Sequence, residues 1–128
     1  MGVDITPVSL RLPSNVRFVA CDALADGASF FEGIGGPFDV VLSDMAPATT
    51  GSKFVDAHRS LELSRSALAT ASRVLVAGGA FVCKVFQGPD FKAFSDQAKA
   101  LFGRVAHIKP RSTRKTSKEI YLIGLQKK

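Results

Sequence analysis

Three aspartates, Asp4, Asp22 and Asp44, each close a short apolar run. In an open α/β sheet the side chains at the carboxyl ends of parallel strands face the ligand crevice. A carboxylate there can accept hydrogen bonds from both hydroxyls of a ribose, and Asp4 stands in the position for that role. The same residue type also caps the loop or helix after a strand, as in Asp22-Ala23-Leu24. One aspartate alone reads more readily as a cap. Three in register point to a nucleoside pocket.

Lys84 interrupts the run Ala80-Phe81-Val82-Cys83-Lys84-Val85-Phe86, where an unpaired ammonium costs several kcal/mol. Its stem can snorkel to a strand end, but Val85 and Phe86 carry the strand past it, which puts the amine near the crevice. A lysine held there by carboxylates, or deprived of its proton by desolvation or a second cation, can act as a general base. Asp44 opens the loop Asp44-Met45-Ala46-Pro47, and Glu119 opens the last strand. If their strands are neighbours, Asp44, Lys84 and Glu119 form an acid–lysine–acid cluster. His58 and His107 lack metal-ligand spacing and read as surface or helix-face residues. Arg111, Arg114, Lys115 and Lys118 alternate with Ser112, Thr113, Thr116 and Ser117. Such a loop suits phosphate contacts, which position a nucleic acid without reading its sequence. Tyr121 is the one aromatic beside it, so stacking has no support.

The elements that must position these residues alternate along the chain. Val16 to Cys21 and Phe38 to Ser43 read as strands, the second preceded by the turn signal Gly35-Gly36-Pro37. Leu61, Leu68 and Leu75, with Ala67, Ala71 and Val74, line one helical face, and Gly78-Gly79 is the expected stop. Ala80 to Phe86 reads as a strand buried on both faces. A second helix has Pro89 near its first turn, an apolar face of Phe91, Phe94, Ala98, Leu101 and Phe102, and Gly103 as its stop. Val105 to Ile108 and Glu119 to Leu125 complete the strands. This alternation predicts an α/β fold with a parallel sheet and an antiparallel partner at its end. Gly2-Val3-Asp4-Ile5 resembles the end of a strand, and the Gly-rich strand-to-helix turn of a doubly wound domain is missing. The chain reads as a doubly wound domain without its first strand and helix.

A length of 128 residues suits one domain, residues 1–128. The chain is 46% apolar and 22% charged, as folded globular proteins are. No apolar run approaches the ~20 residues that cross a bilayer, and the start has no signal-peptide pattern. Cys21 and Cys83 can supply neither a disulfide framework nor a four-ligand zinc site. As buried, reduced thiols they fit an intracellular, cytoplasmic protein. The net charge of +6 is uneven: from Lys109 onward seven of the 17 basic residues stand against one of the 11 acids, Glu119. The first 108 residues are neutral. A basic end on a neutral body predicts a polyanionic partner, RNA or DNA ahead of a membrane surface.

Several of these segments together resemble a known family. Ser43-Asp44-Met45-Ala46-Pro47, Thr50-Gly51, Asp56 and Arg59 are followed by Leu75 to Gly79 and Phe81-Val82-Cys83-Lys84-Val85-Phe86-Gln87-Gly88. Lys109-Pro110, the Ser/Arg-rich loop and Ser117-Lys118-Glu119-Ile120-Tyr121 complete a pattern similar to the FtsJ/RrmJ ribosomal RNA 2′-O-methyltransferases. The resemblance implies a Rossmann-like sheet whose last strand runs antiparallel. It implies transfer of a methyl group from S-adenosylmethionine to a ribose 2′-hydroxyl, that of a uridine in large-subunit rRNA. The expected partner is rRNA or the large ribosomal subunit, met by a monomer away from membranes, and no metal is needed because the leaving group is a neutral thioether. The family's catalytic set is Lys, Asp, Lys, Glu. Asp44, Lys84 and Glu119 match the last three, with Lys84 at the proton-acceptor position, while Asp4, Asp22 and Asp44 match cofactor-contacting positions.

The family's first catalytic lysine and its Gly-rich cofactor turn lie upstream of anything present here. The expectation is therefore an N-terminally truncated domain, weakly active or inactive by itself. Rival readings are a non-catalytic RNA-binding remnant of such an enzyme and a nucleotide-binding α/β module of another kind.

Overall fold

Apolar runs bounded by turn residues form the strands, and the stretches of 3.6-residue repeat form two of the helices. In chain order these are β1 (Gly2–Asp4), β2 (Phe18–Ala20), α1 (Ala23–Gly33), β3 (Phe38–Ser43), α2 (Lys53–Val74), β4 (Leu75–Phe86), α3 (Phe91–Leu101), β5 (Phe102–Ile108) and β6 (Glu119–Lys127). The computed structural model describes residues 1–33, 35–110 and 118–128, the side chains of 26–28 and 32 excepted. Arg111, Arg114 and Lys115 of the expected RNA-binding loop lie outside the described residues. Lys118 lies within them, its carbonyl accepting the Gln87 N–H at 2.9 Å.

The strands form two sheets. β1 and β2 pair in parallel, and the other four are ordered β3-β4-β6-β5. β3 and β4 are parallel, while β6 is antiparallel to both β4 and β5. Thus β3, β4 and β5 run one way and the last strand runs the other. This is an α/β arrangement as the alternation predicts, but the antiparallel strand lies between β4 and β5 rather than at the end of the sheet, and β1 and β2 form a separate pair.

Helix α2 begins at Ser52, whose hydroxyl accepts the Val55 N–H, and carries Asp56 in its first turn. An acceptor and a negative charge there satisfy free amides and oppose the helix dipole. Its buried residues Ala57, Leu61, Leu68, Ala71 and Val74 follow the helical repeat. They pack against Phe81, Cys83 and Val85 of β4 in a core shared with Phe94 and Ala98 of α3 and Leu122 of β6.

Four local expectations need correction. The strand over 80–86 is buried on one face only: Phe81, Cys83 and Val85 are buried, whereas Val82, Lys84 and Phe86 are partly exposed. The reason is that α2 and α3 pack on the same side of the sheet and on each other. Gly78-Gly79 does not end α2, which stops at Val74 with Leu75 extended. Gly78, at φ +81°, lies in a bulge of β4 where its pairing with β3 shifts register. Gly103 lies within β5 rather than ending α3. Cys21 is half-buried, not fully enclosed. Helix α1 is an addition, since Gly27 obscures its helical propensity.

Gly124 on β6 has a packing reason to be glycine. A Cβ there would lie 2.7 Å from the ring of Phe102, which stacks on Phe81 with centroids 6.0 Å apart. Substituting Gly124→Ala overpacks a core in which neither ring has room to retreat. The expected loss of stability is about 1–3 kcal/mol, read as a lower urea midpoint at unchanged slope. A midpoint equal to that of the parent would show that the rings yield freely.

Candidate active site

The register of β3 on β4 decides which functional groups meet. Ser43 pairs with Cys83, so the next residues, Asp44 and Lys84, come level where β3 ends. Lys84 Nζ lies 3.0 Å from Asp44 Oδ1. Across the other edge of β4, Lys84 pairs in register with Tyr121 of β6. The Tyr121 hydroxyl donates to the same Asp44 oxygen at 3.4 Å. Lys84's side chain is 13% exposed and that of Asp44 75%: the cation is mostly enclosed while the carboxylate faces water. Burial first, and then the charge of Asp44, push the Tyr121 phenol above its ordinary value of 10.0.

Glu119 stands two residues before Tyr121 on β6, on the same face, paired with Phe86. It is therefore diagonal to Lys84, a placement within reach of long side chains. Its charge also reaches Tyr121. The structure thus brings Asp44 and Lys84 into direct contact, with Glu119 on the same face beside them. Tyr121 is a residue that sequence reasoning passed over as a stacking partner. The available signal was its two-residue offset from Glu119, which puts both on one face of a strand.

Two buried serines hold the backbone around Lys84. Beyond Cys83, β4 has outrun β3, and helix α2 supplies hydrogen bonds to it instead. Ser64 Oγ lies 3.2 Å from the Lys84 carbonyl and 2.9 Å from that of Ser60. The Phe86 N–H donates to Ser60 Oγ at 2.9 Å. Both serines are 1% exposed and one helical turn apart. Serine inside a helix carries no chemical label in a sequence, which is why these two escape notice there.

Asp56 secures the loop that follows Asp44. Its Oδ1 accepts from both the N–H and the hydroxyl of Thr50, each at 2.8 Å. The Thr50 amide, its hydroxyl and the Gly51 amide hold the Asp56 carboxyl below its usual range. Asp4 and Asp22 take local roles in part: Asp4 Oδ1 accepts the Thr6 N–H at 2.8 Å and Asp22 Oδ1 the Leu24 N–H at 2.9 Å. Asp4 and Asp44 nevertheless border one cavity of about 440 Å³, walled by Leu24 and Met45. Asp22 sits beside it at the foot of α1 rather than in its lining. Cys83 is a free thiol pushed up by burial, a core residue without nucleophilic character. His107, expected on the surface, is exposed but bonded to Ser95 at 2.9 Å.

Comparison with known proteins agrees with the order of these strands and motifs. The sequence profile of the FtsJ-like methyltransferase family matches residues 1–127. The chain belongs to that family. It is 49% identical over 128 residues to the ribosomal RNA large subunit methyltransferase E of Desulfatibacillum aliphaticivorans, and 48% identical to that of Desulforapulum autotrophicum. All of the chain is matched in both, but only 62% and 63% of those relatives' lengths. This FtsJ-like chain therefore spans under two thirds of the curated relatives it resembles. A Plasmodium falciparum protein described as a ribosomal RNA methyltransferase shares its fold, with a TM-score of 0.83 at 24% identity over 98% of this chain and 70% of that one. Human methyltransferase-like protein 13 shares it more distantly, with a TM-score of 0.61 at 16% identity over 91% of this chain and 51% of that one. Among the described residues no helix is long and apolar enough to cross a membrane.

The chain has one tyrosine and no tryptophan, so the Tyr121 phenol can be titrated directly by ultraviolet absorbance. Its midpoint should lie above the ~10 of a free phenol, and Asp44→Asn should lower it. Because folding favours the protonated phenol, its stabilising share is complete below the free value and disappears as pH rises through the folded one. A midpoint at or below that of free tyrosine would separate Tyr121 from Asp44. Ser60→Ala leaves the Phe86 N–H buried without its acceptor, at an expected cost of about 1–3 kcal/mol, with faster hydrogen exchange at that amide. Unchanged exchange at Phe86 would deny Ser60 its bridging role.

Proposed function

We propose that this chain forms the larger part of an S-adenosylmethionine-dependent enzyme that methylates a ribose 2′-hydroxyl of large-subunit rRNA. Membership of the FtsJ-like family supports methyl transfer, and the rRNA methyltransferase names of relatives at 48–49% identity support the substrate. The observation that carries the reading is the 3.0 Å contact of Lys84 with Asp44 at the carboxyl end of a parallel strand pair. A uridine is the nucleoside that the resemblance implies.

The residues present fit the cofactor in part. Asp4 and Asp44 bring carboxylates to one end of the cavity and Leu24 and Met45 supply apolar wall, a combination that suits a ribose and a purine. Asp22, outside the lining, would contribute only from the adjacent turn. When bound, S-adenosylmethionine supplies a methyl group already activated on a sulfonium, whose leaving group is a neutral thioether. The chain's own part is to align the hydroxyl and handle its proton. The Lys84 ammonium steers the hydroxyl as the oxygen–carbon bond forms, or takes its proton after first giving up its own, and Asp44 and Glu119 orient its nitrogen. Tyr121 holds the Asp44 oxygen from the other side. Arg111, Arg114, Lys115 and Lys118 would meet RNA phosphates, positioning the strand without reading its bases.

By itself the chain should bind S-adenosylmethionine weakly. Micromolar affinity by calorimetry would refute this. Activity is best read on a chimera that carries the remaining part of the 49%-identical relative. Labelled methyl should appear in large-subunit rRNA as a ribonuclease-resistant 2′-O-methylated position. Lys84→Ala should abolish transfer while changing cofactor affinity by no more than threefold, about 0.65 kcal/mol. Normal turnover in that variant would remove Lys84 from the chemistry, and label on a base would overturn the ribose assignment.

A further inference from the structure

We infer that Phe54 is a stacking platform for an unpaired base of the RNA substrate, set at the same end of the sheet as Lys84. This rests on the RNA reading proposed above and adds to it a contact with a base. Helix α2 runs back along β4: Val74 joins that strand at Leu75, Ser64 meets the Lys84 carbonyl and Ser60 meets the Phe86 amide. One further turn toward its start carries Phe54 past the end of β4. Gly88 lets the chain after β4 pass close under this turn, since a Cβ there would lie 2.9 Å from that of Ala57. About 7 Å of strand and about 9 Å of helix then separate the level of Lys84 from that of Phe54, within the span of a bound strand of a few nucleotides.

Phe54 is 69% exposed. The recess beside it, bordered by His58, Pro89 and Phe91, holds only about 10 Å³. That is too little to enclose an aromatic ring, so a planar group must lie on Phe54 rather than inside the recess. Single exposed apolar residues are common on folded proteins; the surroundings set this one apart. Lys53, His58 and Arg59 are exposed around it. The acid of the same turn, Asp56, is buried with its carboxylate engaged by Thr50. Among the described residues that border the recess, Asp90 is the one acid.

The basic loop ends beside this turn. The Lys118 carbonyl accepts the Gln87 N–H at 2.9 Å, and the charge of Lys118 reaches Asp56. Along the sequence the loop has Tyr121 alone as an aromatic neighbour, whereas the tertiary structure brings Phe54 to it. A ring open to water among cations suits an unpaired base: the ring supplies a π-face, and the cations meet the flanking phosphates. An apolar peptide would find no groove to fill and a cationic border to desolvate. Stacking tolerates every base, so Phe54 sets the path of the RNA strand into the site and does not read its sequence.

The test reads RNA binding and not methyl transfer. The chain has no tryptophan, so Phe54→Trp introduces a single indole at the platform, on a residue too exposed to endanger the core. The full 128-residue chain is titrated at low salt with an oligouridylate of about eight residues, and with an abasic oligomer of the same length and charge. The oligouridylate should quench the indole emission saturably, and the abasic oligomer should not. By anisotropy of end-labelled oligomers, Phe54→Leu should weaken oligouridylate binding about 5- to 150-fold, the range of one base–aromatic stack. It should leave abasic binding unchanged, and Phe54→Tyr should restore the parent affinity for the oligouridylate. The inference is overturned if both oligomers quench alike, if the oligouridylate binds without quenching, or if Phe54→Leu weakens both oligomers equally. In each of those cases the RNA reading stands and the platform alone fails; a chain that binds neither oligomer removes both.

Discussion

Ser43 and Cys83 are level in the β3–β4 ladder, and one residue further on the chain leaves β3 while β4 continues to Phe86. This difference in strand length brings a carboxylate across to an ammonium at the end of the ladder. It also leaves β4 without a strand neighbour on its β3 side at Lys84 and Phe86, and there the Ser60 and Ser64 hydroxyls of α2 bond the Phe86 amide and the Lys84 carbonyl instead. The antiparallel β6 then places Tyr121 and Glu119 on the face that carries Lys84. Were β3 two residues longer, its own backbone would meet β4 at Lys84 and Phe86, and the serine bridges would not form.

The ion pair is poorly suited to be a source of stability. Asp44 is largely in water, and exposed pairs contribute only about 0–1 kcal/mol. Lys84 has meanwhile given up much of its hydration, which opposes that gain. An arrangement costly to build and weak in return is characteristic of a functional site. Stability comes instead from the apolar layer on the other side of the sheet. There Phe81, Val85, Phe94, Phe102 and Leu122 exclude water under α2 and α3, and Gly124 admits the Phe102 ring.

The two faces of the four-stranded sheet are therefore unequal. Buried residues on β4 and β6 alternate with half-exposed Val82, Lys84, Phe86, Tyr121 and Ile123. The helix-covered face fixes the positions of strands whose open face carries the reactive groups. The cavity between β1 and β3 is lined by Leu24 and Phe31 of α1 and by Ala67 and Val74 of α2, and Asp4 and Asp44 border it.

Local patterns in the sequence determined the strand over Phe38–Ser43, the start of β6 at Glu119, the amphipathic faces of α2 and α3, and the oddity of a lysine in an apolar run. Each depends on neighbours within a few residues, where periodicity and turn chemistry act directly. The motif around Asp44 and Lys84 also pointed to the family. Which face of β4 is buried could not be read, because an apolar residue such as Val82 looks alike whether or not a helix lies above it. The bulge at Gly78 and the roles of Ser60, Ser64 and Tyr121 were equally hidden. Each depends on the register of strands and helices far apart in the chain, and register is set by packing, which only the tertiary structure decides.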